Sequence, residues 1–212
     1  MKSLTTIALL AASLAGASAD ESSSSMAPKV ATSDRSGVHC RALHAGPDQS
    51  IDAGSVCIQV LPDEKTMSVR YNLKDDWELR DTHLWTGTHT DDMPQTRRGT
   101  PQIAKFPFSA KHTDGQTFYE KTFELASPQF SFTCSPEQSD ETLYYYAAHA
   151  SIAQRNEDGR IVAFETAWSD GDRFVQDGMR GTFGTFEMRC GDAVEETSSI
   201  SGLRGGKGSI SR

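Results

Sequence analysis

Apolar side chains recur at every second position through much of this chain, and that period decides what it folds into. Val56, Ile58 and Val60 alternate with Cys57 and Gln59, and after Pro62-Asp63-Glu64-Lys65 the spacing resumes at Val69, Tyr71 and Leu73. Successive side chains of an extended strand leave opposite faces, so each run makes one apolar face. Turn residues between two such runs make a hairpin. A third strand is predicted over Trp77 to Trp85, and further strands over Thr117 to Leu125 and Gln129 to Cys134. Thr142 to Ala153 and Ile161 to Trp168 flank the turn signal Asn156-Glu157-Asp158-Gly159, and a last strand runs from about Gly181 to Cys190. No window carries a helical stripe. Seven or eight short strands with spaced turns predict an all-β fold, an antiparallel β-sandwich or jelly-roll-like barrel.

The ends of the chain read differently. Met1-Lys2-Ser3, an apolar run through Leu4, Ile7 and Leu10, and Gly16-Ala17-Ser18-Ala19 form the pattern of a secretory signal peptide, with cleavage expected after Ala19. Residues 20–36 hold Ser22-Ser23-Ser24-Ser25 and few large apolar groups, and residues 193–212 are similar, so both are expected to be disordered tails around a domain at 37–192. The net charge of −8 becomes −9 once Lys2 is removed. An acidic protein repels phosphate backbones and anionic head groups, which argues against nucleic acid and membrane partners. A secreted, extracellular protein without membrane insertion is the expectation.

Cys40, Cys57, Cys134 and Cys190 all follow the leader, and an even number in an oxidising compartment implies two disulfides. None forms a C-x-x-C pair, which disfavours a zinc knuckle or a redox motif. Four cysteines allow three connectivities. The preferred one is Cys40–Cys57 with Cys134–Cys190, because Cys57 points away from the Val56/Ile58/Val60 face and the other two end strands.

Several clusters carry chemical potential. His83, His89, Asp91 and Asp92 lie within ten residues and are candidate metal ligands, although their spacing matches no closed zinc motif. Asp170 and Asp172 could supply oxygens to Ca²⁺, but the stretch lacks a complete EF-hand loop and reads first as a turn. The Pro-rich stretch Thr86 to Ser109 is a long loop of the kind that is often functional. His149, among alanines, and Glu165, among apolar residues, lie on strands joined by the Asn156–Gly159 turn. A four-residue turn sets His149 opposite Thr166 and sends Glu165 to the other face; a turn one residue different puts both on one face. If they meet, a buried clip fixing strand register is preferred over a pair that moves a proton.

The succession Trp77-Glu78-Leu79, Thr82-His83-Leu84-Trp85, Phe106-Pro107-Phe108, Ala148-His149-Ala150 and Glu165-Thr166-Ala167-Trp168 resembles a secreted β-domain of extracellular proteins in bacteria, algae and other microbial eukaryotes. The resemblance spans roughly Cys40 to Arg189. The chain departs from it at Ser169, where glycine is expected, at Met179-Arg180-Gly181, where a tryptophan is expected, and in its four cysteines. What the resemblance implies is the fold and secretion, with no reaction. It favours His83, His149, Glu165 and Trp168 over His89 and His112.

There is no nucleophile elbow and no phosphate-binding glycine loop. The function expected is therefore an extracellular binding, adhesion or matrix domain for a glycan or cell-surface protein, with Trp85, His149 and Trp168 at the ligand and no cofactor beyond a possible Ca²⁺. The aromatics Tyr144–Tyr146 and the long loop motivate it. The alternative is a small secreted hydrolase or metal-dependent enzyme using His83, His149 and Glu165.

Overall fold

The computed structural model describes residues 26–32, 37–128, 130–134, 141–174 and 181–192. The expected signal peptide at 1–19 and the tail at 193–212 lie outside them. The strands are β1 (Met26–Val30), β2 (Val38–Ala45), β3 (Ile51–Val60), β4 (Thr66–Leu73), β5 (Trp77–Gly87), β6 (Phe108–Lys111), β7 (Phe118–Glu124), β8 (Thr142–Arg155), β9 (Ile161–Ser169), β10 (Asp172–Arg173) and β11 (Thr182–Asp192). All pairings are antiparallel. The path runs β1-β11-β8-β9-β2-β3-β4-β7, while β5 pairs with β8 and β6, and β10 with β11.

β8 is the hub. One of its edges carries β5 along residues 145–154, and the other carries β11 at 142–146 and β9 at 149–155. Its even residues Tyr144, Tyr146, Ala148, Ala150 and Ile152 join the main core, whereas Tyr145 and Ala147 join a second cluster on the opposite face. The sheet curls, so that the Tyr71 hydroxyl in β4 donates to the His83 carbonyl in β5 at 3.1 Å. The main core fills the inside of that curl with Leu43, Ile58, Met67, Leu79, Ile152 and their neighbours. Burial of such side chains is the chief favourable contribution to folding.

Local chemistry explains the turns. In the β3–β4 hairpin, Asp63 Oδ1 accepts from the backbone N–H groups of Lys65 and Thr66 at 3.0 and 2.8 Å, and its Oδ2 accepts from the Thr66 hydroxyl at 2.6 Å. At Gly54 the backbone takes φ 151°, and a Cβ would lie 2.0 Å from the Asn72 carbonyl oxygen, so only glycine fits. The register of β2 against β3 shifts beside it, with Ala53 as the extra residue of a bulge.

The disulfides are Cys40–Cys57, directly opposite one another on β2 and β3, and Cys134–Cys190, which ties residues 130–134 to β11. Both pairings are those expected.

Two sequence expectations fail. Within the segment expected to be disordered, Met26–Val30 pairs with Met188–Asp192 as β1. Its Ala27 and Val30 are buried, so two small apolar residues and a free sheet edge suffice to order it. The predicted strand at Gln129 to Cys134 is not one: Phe130 lies in a turn, and residues 131–134 have no strand pairing. Ser131 takes φ 48°, and the Phe130 and Ser131 amides both bond to the Ser127 carbonyl. Phe130 and Phe132 are both buried. Their period-2 spacing comes from a loop tucked onto the core, not from a ladder.

Candidate functional site

The residues of interest meet on the outer face of β5, β8 and β9. Strand register sets His83 opposite His149 and His149 opposite Trp168, and on either side the row continues to Ser109 and His44. The His83 and His149 ring centres are 5.5 Å apart with planes inclined at 54°. The Trp168 ring stands edge-on to His149 at 4.8 Å. His149 is 2 % exposed, and the Nδ1 atoms of both histidines are buried without a hydrogen-bond partner. Burial, helped by the neighbouring His83, presses His149 down to about 3. His83 is also lowered by burial, against the opposing pull of Asp81. Both rings are therefore neutral at physiological pH.

This outer face is buried at one end because the long loop covers it. The loop holds two short 3-10 turns, Thr90–Asp92 and Ile103–Lys105, and a bridge between Gln95 and Pro101. Its Met93 and Phe106 pack with Trp85, Ala147 and Trp168, and Phe106 meets Trp168 edge-on at 6.5 Å. The loop is thus an anchored cover over a second, smaller core. Trp85 and Trp168, expected to contact a ligand, are 4 % and 9 % exposed beneath it and with His149 form a support rather than a contact surface.

Beyond the histidines the same face opens. The next row across the strands is Asp81, Ser151 and Thr166, and the one after sets Ala153 beside Phe164. Here a concavity of about 470 Å³ is lined by Arg80, Asp81, Ser151, Phe164 and Thr166, together with Ile152 and Glu165. Small residues at 151 and 153 make the floor low. Phe164 is 69 % exposed, the largest exposure among the big apolar side chains described. Asp81 is paired through its backbone with Lys111 and Ser151, and its side chain has no hydrogen-bond partner among the described residues. A separate concavity of about 640 Å³ lies between the Asp63–Thr66 turn, Glu124–Ala126 and Phe132–Cys134.

Glu165 does not join His149. The observed register sets Glu165 opposite Ile152 and His149 opposite Trp168, so the two side chains leave opposite faces of the sheet. The loop between the strands spans five residues and is followed by a register shift, a two-residue displacement in all from the four-residue expectation. Displacement by two preserves the pleat, which is why the separation of faces survives. Neither the register clip nor a catalytic trio of His83, His149 and Glu165 is assembled. The other candidate ligands are also scattered: His89, Asp91, Asp92, Asp170 and Asp172 are exposed. Among the described residues no three His, Cys, Asp or Glu side chains converge on one point. Gly171, between the two aspartates, lies where a Cβ would come within 2.1 Å of the Phe183 carbonyl oxygen, so this bend passes close against the backbone of β11.

One cluster went unforeseen. Glu78, 2 % exposed on the outer face, accepts from Arg155 and Arg80 side chains and from the Gly115 amide, and Asp114 completes the network. The one signal available for it was a glutamate set between Trp77 and Leu79 in an apolar strand.

No protein-family model matches this chain, and neither a curated protein nor a solved structure is significantly similar to it.

Proposed function

We propose that this protein is an extracellular binding domain that takes carbohydrate in the open groove of β5, β8 and β9. One observation carries the reading: an aromatic ring, Phe164, stands 69 % exposed beside a polar floor of Asp81, Ser151 and Thr166. An aromatic face stacks on the C–H face of a sugar ring, while carboxylate and hydroxyl groups exchange hydrogen bonds with its hydroxyls. The volume lies in the range of small-ligand sites. The groove rests on three paired strands, and rigid placement suits recognition. Two disulfides and the signal-peptide pattern support secretion. The resemblance to secreted microbial β-domains points the same way.

The test is an array of immobilised oligosaccharides probed with the purified chain and with Phe164→Ala and Asp81→Asn variants. The expected result is a restricted set of bound sugars, lost with Phe164→Ala and weakened with Asp81→Asn. Sugar binding that survives both substitutions, or none at all, rules out this groove.

A further inference from the structure

The two disulfides sit in unlike surroundings. Cys134 and Cys190 are half-buried and pack against the main core, and their bond holds residues 131–134, which have no strand pairing of their own. Cys40 and Cys57 lie directly opposite one another on β2 and β3 and face outward, since Val56 and Ile58 on either side of Cys57 fill the core. Cys40 is exposed and Cys57 half-buried. The row continues from Cys57 to Arg70 on β4 and Glu120 on β7. Strand pairing runs from Val38 opposite Gln59 to Leu43 opposite Gly54, so β2 and β3 are joined on both sides of the bond by a ladder that does not depend on it. Exposed disulfides of this kind are the ones open to exchange, whereas buried ones resist it.

We propose that Cys40–Cys57 is a thiol–disulfide exchange site, with Cys40 the sulfur attacked and Cys57 the leaving thiolate. Exchange requires the incoming thiolate to approach along the line of the S–S bond. For Cys40 that line passes the edge of β2 away from β3, and β9 pairs with β2 only along Leu43–Ala45, short of this position. For Cys57 the corresponding line comes in over β4, where Arg70 stands. The thiolate forms its bond to Cys40 Sγ as the Cys40–Cys57 bond breaks, and the electron pair of the broken bond leaves on Cys57 Sγ. One disulfide becomes another, so no oxidant or reductant beyond the thiol is needed. Arg70 is placed to receive the charge. Directly opposite residues of a ladder hold their Cβ atoms about 5 Å apart, and a neighbouring guanidinium favours thiolate over thiol. Its Nη2 donates to Glu120 at 3.1 Å, while its Nε is buried with no hydrogen-bond partner. The co-reactant is a low-molecular-weight thiol, and the product is an S-thiolated Cys40 that the Cys57 thiolate can reverse. The site is independent of the groove.

Reduced glutathione at millimolar concentration, added to the native full chain with both disulfides closed, is the probe. Alkylation and peptide mass mapping should find glutathione on Cys40 and the alkyl label on Cys57. This bond should open at least about tenfold faster than Cys134–Cys190. Arg70→Gln should slow the opening severalfold and Arg70→Lys should keep most of the rate. In a Cys40→Ser background, the pH midpoint for alkylating Cys57 should lie below the ordinary thiol value of about 8.5 and rise on adding Arg70→Gln. A merely structural Arg70 would leave that midpoint in place, and an unchanged midpoint in a folded variant overturns its role. Glutathione on Cys57 in preference to Cys40, opening of Cys134–Cys190 as fast or faster, or no adduct on the native chain each overturns the site. Should the variants fail to fold, the wild-type map decides alone.

Discussion

Arg155, at the end of β8, grips Glu78, at the start of β5, with two hydrogen bonds: Nε donates to Oε2 at 2.8 Å and Nη2 to Oε1 at 3.0 Å. The residues are 77 apart in sequence and joined only because β5 and β8 lie side by side. The Gly115 amide adds a third bond to Oε2 at 2.6 Å, and Arg80 and Asp114 close the network. The Glu78 side chain is almost wholly sealed, at 3 %, while that of Arg155 keeps 29 % of its surface. One carboxylate thus fixes the base of the face that carries the groove.

Glu78→Ala is expected to destabilise the domain by about 2 kcal/mol, less than for a fully sealed pair because Arg155 stays near solvent. The Arg155 hydrogen bonds, aided by the Gly115 amide, hold the Glu78 carboxyl below the usual glutamate range. Its folded-state pKa is lowered, so its contribution is complete above the unfolded-state value and is lost as pH falls through the folded one. Urea unfolding below about pH 4.5 should accordingly show a shallower decline for Glu78→Gln than for the wild type. Parallel curves would mean that the network contributes nothing to acid stability.

His149 titrates in the same direction for a different reason. Burial, then His83, lowers it from the ordinary 6.5 to about 3. Between those values the unfolded chain binds a proton that the folded one refuses, so stability should fall as pH drops from about 6.5 towards 3. A His149→Gln variant removes the titration. Its melting temperature should change less with pH across that window, whatever its absolute stability.

Phe106 is 5 % exposed and touches Trp168. Phe106→Ala should cost about 3 kcal/mol and release the loop that covers the outer face. Hydrogen exchange of residues 88–107 is the readout. Protection lost there, with β3 and β4 spared, is expected; an even loss across all strands would show that the loop is not held by its own anchors.

Removing the two disulfides separately should have unequal effects. Cys134–Cys190 closes a span of 56 residues and Cys40–Cys57 one of 17. By loop-closure entropy the first is worth about 4 kcal/mol and the second about 3. Paired serine variants compared by denaturant unfolding should reproduce that order.

Glu165 is now expected to be of small consequence. With its side chain on the face opposite His149 and half-buried, Glu165→Ala should alter stability by about 0.5 kcal/mol or less. A loss of several times that amount would reveal a partner for Glu165 beyond the described residues.

The period-2 alternation determined the all-β antiparallel character and the β3–β4 hairpin, because both rest on local geometry, whereas the cysteine positions left three connectivities open and only favoured the one that formed. An apolar side chain at every second residue buries one face of a strand, and Cys40 and Cys57 become opposite once a hairpin sets residues 38–43 against residues 54–59. Where alternation arose without a partner strand, at Phe130 and Phe132, the same logic misled. Period measures which side is buried and not what buries it.

Tertiary structure decided everything that depends on a second strand or a cover. Whether Glu165 faces His149 turned on a five-residue loop and one register shift, which no propensity encodes. That Trp85 and Trp168 are buried followed from Met93 and Phe106 folding back across the sheet, and His149 is in turn covered by the Trp168 ring. Phe164, on the same face but past the reach of that loop, was left in solvent. The pairing of His83 with His149, and of Glu78 with Arg155, required β5 and β8 to dock. Register and docking are cooperative outcomes of burying the whole core, so they reside in the sum of many weak contacts rather than in any segment that can be read alone.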